Sequence, residues 1–184
     1  MKCISFFATL LFATLFSISG YSQELNASET AAIRAVYKNL ETSWNAKDAA
    51  QWATSFAPNH DNIVWNGLYF KHIGPVEQEQ SHAQLFSGQF KDMNLRNVVD
   101  EIRVLSDDLV LLTGFVAGYQ VGAEEMPKYP WHIITCVLHK QEGAWKIVSF
   151  HASDIEYSEM LGDETPADGQ KIGLAKNMFA AWYN

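Results

Sequence analysis

Two histidines in this 184-residue chain stand where apolar side chains would be expected. His151 closes the run Trp145-Lys-Ile-Val-Ser-Phe-His, which otherwise reads as a buried strand. His82 precedes Leu85 and Phe86 by three and four residues, so on a helix it shares their face. With a reference pKa of about 6.5, histidine is the natural general acid or base near neutrality. Facing each other across one cavity, two such rings form a donor and acceptor pair, one neutral and taking a proton, the other giving one. They could equally hydrogen-bond each other or the backbone and hold a helix against a sheet. Trp65, Asn66, Tyr69, Phe86 and Trp131 are the next candidates. Aromatic walls with a few polar handles are what a small-molecule pocket needs, although for any one of these residues core packing is the simpler reading. His132 alternates with Trp131 and is expected to point the other way, into a dimer face. His60 and His139 lie near turns and are expected to be exposed.

Other chemistries find little support. No close spacing of His, Cys or carboxylates suggests a metal site, and none is expected. There is no G-x-S-x-G, no G-x-G-x-x-G and no P-loop, so neither a nucleophile elbow nor a nucleotide cofactor is expected. Asp154 follows His151 by three residues and could orient its ring only if the strand bends there. Cys136, within His132-Ile-Ile-Thr-Cys-Val-Leu-His139, reads as a small buried hydrophobe.

The elements that must position these residues follow from periodicity. Asn26 and Glu29 have capping-box spacing, and Ile33, Val36, Tyr37, Leu40 and Trp44 form one face of an amphipathic helix. Asp48 can cap a short second helix carrying Trp52. Ala57 to Asn62 reads as turn-rich. Ile63 to Phe70 reads as strand with a possible Asn66-Gly67 hairpin turn. Gly74-Pro75 opens a third helix and Gly88 closes it. From Leu95 to Ser153 four long apolar runs alternate with short turns, which predicts antiparallel strands. Helices first and strands second make an α+β layout. Apolar residues on both alternations, such as Ile147 against Val148 and Phe150, imply that both sheet faces are covered, the second by a dimer partner.

The two ends of the chain carry their own signals. Lys2, the apolar run Ile4–Ile18, and small residues Gly20 and Ser22 form the pattern of a secretory signal peptide over residues 1–22. That predicts an exported, periplasmic or secreted protein of bacterial type, with no membrane attachment after cleavage. The net charge of −8, from 13 basic and 21 acidic residues, argues against nucleic-acid binding. Residues 23–154 would be one domain. Residues 155–184 would be an extension that starts loop-like and ends in a short docked helix, either a lid on a cavity or part of the core.

Several strings, taken in order, resemble the nuclear transport factor 2-like superfamily, and within it the SnoaL-like or SgcJ/EcaC-type group. They are Ala32 to Asp48 with Trp44-Asn45, then Phe56-Ala-Pro-Asn-His-Asp61, Gly74 with His82 eight residues on, Leu85 to Leu95, and Trp145 to Ser153. The resemblance implies a cone: a strongly curved antiparallel sheet wrapped around the N-terminal helices, open at one end, and usually a homodimer. It implies a mostly apolar interior where His82 and His151 would act without a cofactor on a small apolar compound, as an isomerase, cyclase or hydrolase. Related domains serve instead as non-catalytic association or ligand-carrying modules. Where ketosteroid-isomerase relatives carry a general-base aspartate this chain has Asn66, which cannot take a proton from a carbon acid.

Overall fold

The computed structural model describes residues 25–162 and 164–184; the signal-peptide expectation for residues 1–22 lies outside the described residues. Helices α1 (Ala27–Ala46) and α2 (Ala49–Ala53) come first, then strands β1 (Phe56–Ile63) and β2 (Tyr69–Ile73) and helix α3 (Pro75–Ser87). Strands β3 (Met93–Ser106), β4 (Leu109–Gln120), β5 (His132–Gln141) and β6 (Ala144–Asp154) follow, and α4 (Tyr157–Leu161), α5 (Asp168–Met178) and α6 (Ala180–Tyr183) end the chain. The six strands form one open, curved sheet in the order β2-β1-β6-β5-β4-β3, an α+β cone.

The helices start and stop where the sequence says they should. Asn26 Oδ1 accepts from the Glu29 N–H at 2.9 Å, and Asp48 caps α2 by accepting from the Gln51 N–H at 2.9 Å. Glu77 reaches back from α3 to the Gly74 N–H. The face of α1 formed by Ile33, Tyr37, Leu40 and Trp44 is buried against the sheet. Gly114 lets α1 approach that closely: a Cβ there would lie 2.7 Å from the Tyr37 hydroxyl and 2.8 Å from the Val98 carbonyl. Asn45 then ties the end of α1 to β3, donating to the Leu95 carbonyl and accepting from the Leu95 N–H, while Trp44 donates to the Met93 carbonyl.

Two expectations about strands fail for identifiable reasons. Residues 57–62 are not a turn but the body of β1, which pairs antiparallel with β2 and parallel with β6. Pro58 and Asn59, which made the segment look turn-like, are exposed where the pairing with β6 shifts register. In β6 the partners of Val137 and Leu138 are Ser149 and Ile147, so Val148 is an extra residue, a β-bulge. Trp145 and Ile147 face the helices before the bulge; Phe150 and Ala152 face them after it. His151 is thereby turned to the outer face, where it is exposed.

The outer face is covered at one end by the chain's own extension. Phe115 and Ala117, on the outward alternation of β4, build a second core with Ile155, Tyr157, Ala175, Phe179 and Trp182. Arg96 lies over the Trp182 ring at 4.3 Å and donates to its carbonyl at 2.7 Å. Tyr157 donates to the Pro130 carbonyl, and Tyr183 to that of Lys128. The extension is core on the outside of the sheet, not a lid over the cone mouth. Trp182 is fully buried, so Trp182→Ala is expected to cost about 3–5 kcal/mol in urea denaturation. A cost within experimental error would mean that the extension adds nothing to the stability of the cone.

Candidate functional site

The inner face of the sheet and the helices laid on it enclose the candidate site. His82 lies in its deep part, on the buried face of α3 beside Phe86. Its ring stacks on Trp52 at 4.5 Å and meets Trp44 and Phe86 edge-on. Nδ1 is 3.0 Å from the Gln78 carbonyl, which can only accept, so Nδ1 carries the proton and Nε2 is left as a lone pair. Burial pushes the His82 pKa down to about 4, against a smaller opposing effect of the Gln78 carbonyl. The ring is neutral at pH 7, an acceptor and not a cation.

His60 and Gln78, neither expected in the site, join it. His60 is buried, contrary to its expected exposure, because β1 is a strand whose ring at position 60 lies against Phe56 at 4.6 Å. Its Nδ1 donates to the Ala57 carbonyl at 2.9 Å, so its Nε2 is also a lone pair. Among the described residues, His60 Nε2, Asn62 Oδ1, Gln78 Nε2 and Trp52 Nε1 are all buried with no hydrogen-bond partner. They come from α2, α3 and β1, with α3 packed against both of the others. Two of these atoms accept and two donate. The signal available in the sequence was the helical spacing of Gln78 with His82 and the even spacing of His60 with Asn62, both obscured by the turn-like Pro58-Asn59.

A second group lies toward the rim. His132 faces inward, not into an outer dimer face: it pairs with Val116 and shares the alternation of Ile134 and Cys136, all of them in the core under the helices. Across the β5–β6 ladder its partner is Asp154. Nδ1 lies 2.5 Å from Asp154 Oδ1, a close contact off the line of an ideal hydrogen bond. Burial lowers the His132 pKa and the neighbouring carboxylate raises it, with burial the larger effect. Trp65, in the β1–β2 turn and about half exposed, lies over His132 with ring centres 6.3 Å apart and planes 30° apart. Trp131 borders the same rim, its ring passing close over Gly118, where a Cβ would come within 3.0 Å of it.

The remaining expected residues are dispersed. His82 and His151 are not brought together, since the bulge separates them onto opposite faces; the nearest polar neighbour of His151 is the Ser153 hydroxyl at 3.4 Å. Phe86 is core, packed edge-on to Trp44 at 5.1 Å. Asn66 shapes its own turn by accepting from the Leu68 N–H, and Tyr69 is exposed and donates to Asp61. Cys136 is fully buried and its thiol pKa is driven far up by desolvation. Among the described residues no cluster of three or more His, Cys, Asp or Glu could hold a metal ion.

The depressed pKa of His82 has a consequence for stability. The unfolded ring takes a proton near pH 6.5 and the folded ring only near pH 4. The unfolded state therefore binds more protons between those values, and stability falls as pH falls through that window, by about 3 kcal/mol from this group. His132 contributes in the same direction. His82→Phe, which keeps an aromatic ring against Trp52, should flatten the loss seen in denaturation midpoints between pH 7 and pH 4. An unchanged pH profile would show that His82 is not buried neutral.

Comparison with known proteins agrees with this architecture. No curated protein matches the chain. Among solved structures, a domain of unknown function with a cystatin-like fold from Nostoc punctiforme is 22% identical, with a TM-score of 0.66, covering 86% of this chain and 99% of that one. A nuclear transport factor 2-like protein of unknown function from Shewanella oneidensis is 21% identical, with a TM-score of 0.57, covering 68% and 99%. A proposed scytalone dehydratase from Novosphingobium aromaticivorans is 13% identical, with a TM-score of 0.57, covering 70% and 85%. At these identities the likeness is one of fold. The profile of the SnoaL-like domain matches residues 33–158, from the first buried residue of α1 past the end of β6, and the chain therefore belongs to the SnoaL-like family.

Proposed function

We propose that this protein binds a small, largely apolar molecule carrying both a hydrogen-bond donor and an acceptor, inside the cone. The observation that carries the reading is the set of buried, unpartnered polar atoms on Trp52, His60, Asn62 and Gln78. Leaving such a group unpaired costs about 1–3 kcal/mol each. A bound molecule that pairs them recovers that cost, and the surrounding rings of Trp44, Trp52, Phe56 and Phe86 supply the apolar wall. His60 and His82, each with Nδ1 held by a backbone carbonyl, suit acid–base chemistry without a cofactor. The dehydratase name of one fold relative is compatible with such chemistry. The N-terminal signal pattern supports export.

The alternative is a ligand-carrying or association module with no reaction. A homodimer through the sheet would have to use the outer surface left free by the extension, around Leu111, Thr113, Thr135 and Val137, since Phe115 and Ala117 are already covered. Both readings include the pocket, and both are tested by binding. A panel of small apolar alcohols and ketones should raise the melting temperature of the wild type. A ligand at a hundred times its Kd stabilises by about 2.7 kcal/mol. Gln78→Leu and Asn62→Leu should fold but lose that gain. If no compound stabilises the wild type, or the two variants respond as it does, the interior polar atoms are not a binding site.

A further inference from the structure

We propose that His132 and Asp154, with Trp65 over them, form a proton-accepting site at the rim of the cone for a flat, neutral, hydroxylated ligand of the phenol class. The inference rests on the pocket reading above and extends it to a second group of residues. The carboxylate 2.5 Å from Nδ1 keeps the imidazole proton on that nitrogen. Nε2 is then the free lone pair. The arrangement sits where a ligand can reach it: Trp65 is about half exposed and Trp131 somewhat less, whereas His60 and His82 are buried.

The chemical class follows from three features. Trp65 offers an exposed indole face nearly parallel to the His132 ring, which favours a flat partner. Asp154 and the net charge of −8 disfavour a ligand that arrives as a carboxylate or phosphate. A cationic ligand would pair with Asp154 directly and would leave the imidazole lone pair unused. A neutral aromatic hydroxyl satisfies all three. In the step proposed, the O–H bond breaks, its proton forms an N–H bond at His132 Nε2, and the electron pair stays on the ligand oxygen. The resulting imidazolium lies between the phenolate and the Asp154 carboxylate and is stabilised by both. Asp154 touches no ligand atom and is a positioning residue.

The full chain can be tested with 4-nitrophenol, whose phenolate absorbs visibly, at a pH where the free compound is mostly protonated. The wild type should bind it with a rise in phenolate absorbance. His132→Gln should reduce that rise at least tenfold while retaining binding. Asp154→Asn should reduce the phenolate fraction severalfold with little change in Kd, a split that a merely structural role would not produce. Trp65→Ala should weaken binding about tenfold. In the unliganded protein, nitrogen-15 NMR of labelled histidine should show His132 protonated at Nδ1. An unchanged phenolate signal in His132→Gln would overturn the proposal. So would binding without ionisation, no binding of the probe, or a His132 tautomer protonated at Nε2. If the alcohol and ketone panel still stabilises the wild type through Gln78 and Asn62, the pocket reading survives that failure; thermal melts of each variant report folding separately.

Discussion

One extra residue in the last strand governs which side chains the interior of this cone contains. Before Val148 the odd-numbered residues of β6 face the helices, and after it the even-numbered ones do. An unbulged strand would turn His151 and Ser153 inward and send Asp154 out. The bulge reverses that choice and brings Asp154 onto the alternation of Ala152, opposite His132. Bulges bend a strand and sharpen its twist, which a sheet needs if it is to wrap around α1. The residue that helps the sheet curve is thus also the residue that selects the polar groups of the rim.

The inner surface combines apolar closure with polar groups left deliberately short of partners. At the start of α1 polar atoms are satisfied: Glu29 accepts from both Lys140 and the Trp145 indole, and this holds the helix against β5 and β6. The same interactions lower the Glu29 pKa. Asn45 and Glu41 satisfy backbone groups of β3 in the same way. Against that background the unpaired atoms of Trp52, His60, Asn62 and Gln78 gather in one corner, while single unpaired atoms occur elsewhere on Asn94, Asn97, His132 and Trp182. Interiors rarely tolerate several such groups together unless something else pairs them. Their neighbours are rings in edge-on and stacked contact, an environment too apolar to supply partners.

Most of the architecture was legible because it rests on local rules. Helix caps at Asn26, Asp48 and Gly74, the 3.6-residue spacing from Ile33 to Trp44, and the long apolar strands all have sequence signatures. His82 was legible for the same reason, since helical spacing fixes its face. His151 was not, because strict alternation is a two-residue rule and one unannounced residue inverts it. His60 was hidden by Pro58-Asn59, which look like a turn but sit where the strand pairing shifts. The pairing of Asp154 with His132 was not legible, because the two are 22 positions apart across the β5–β6 ladder and no local pattern reveals a cross-strand pair. The second apolar alternation was expected to be covered by a dimer partner; at one end its cover is Phe179 and Trp182 of the same chain.

The order of residues along β6 gives the interior a direction. Trp145 is closed off by Glu29 at one end, and Ile147 lies beside Phe56. Phe150 adjoins Asn62 at the middle, and Asp154 stands at the other end under His132 and Trp65. Asp154 lies four positions beyond Phe150, about 13 Å of extended chain. Exposure rises along that path, from the buried Trp145 to the exposed Trp65. His132 therefore lies nearer the exposed end of the strand than Asn62 or His60. Because the extension is packed on the outer face, around Phe115, it does not stand in that path. Inner-face chemistry and outer-face coverage are then separate properties of the fold, set by opposite faces of the same four strands.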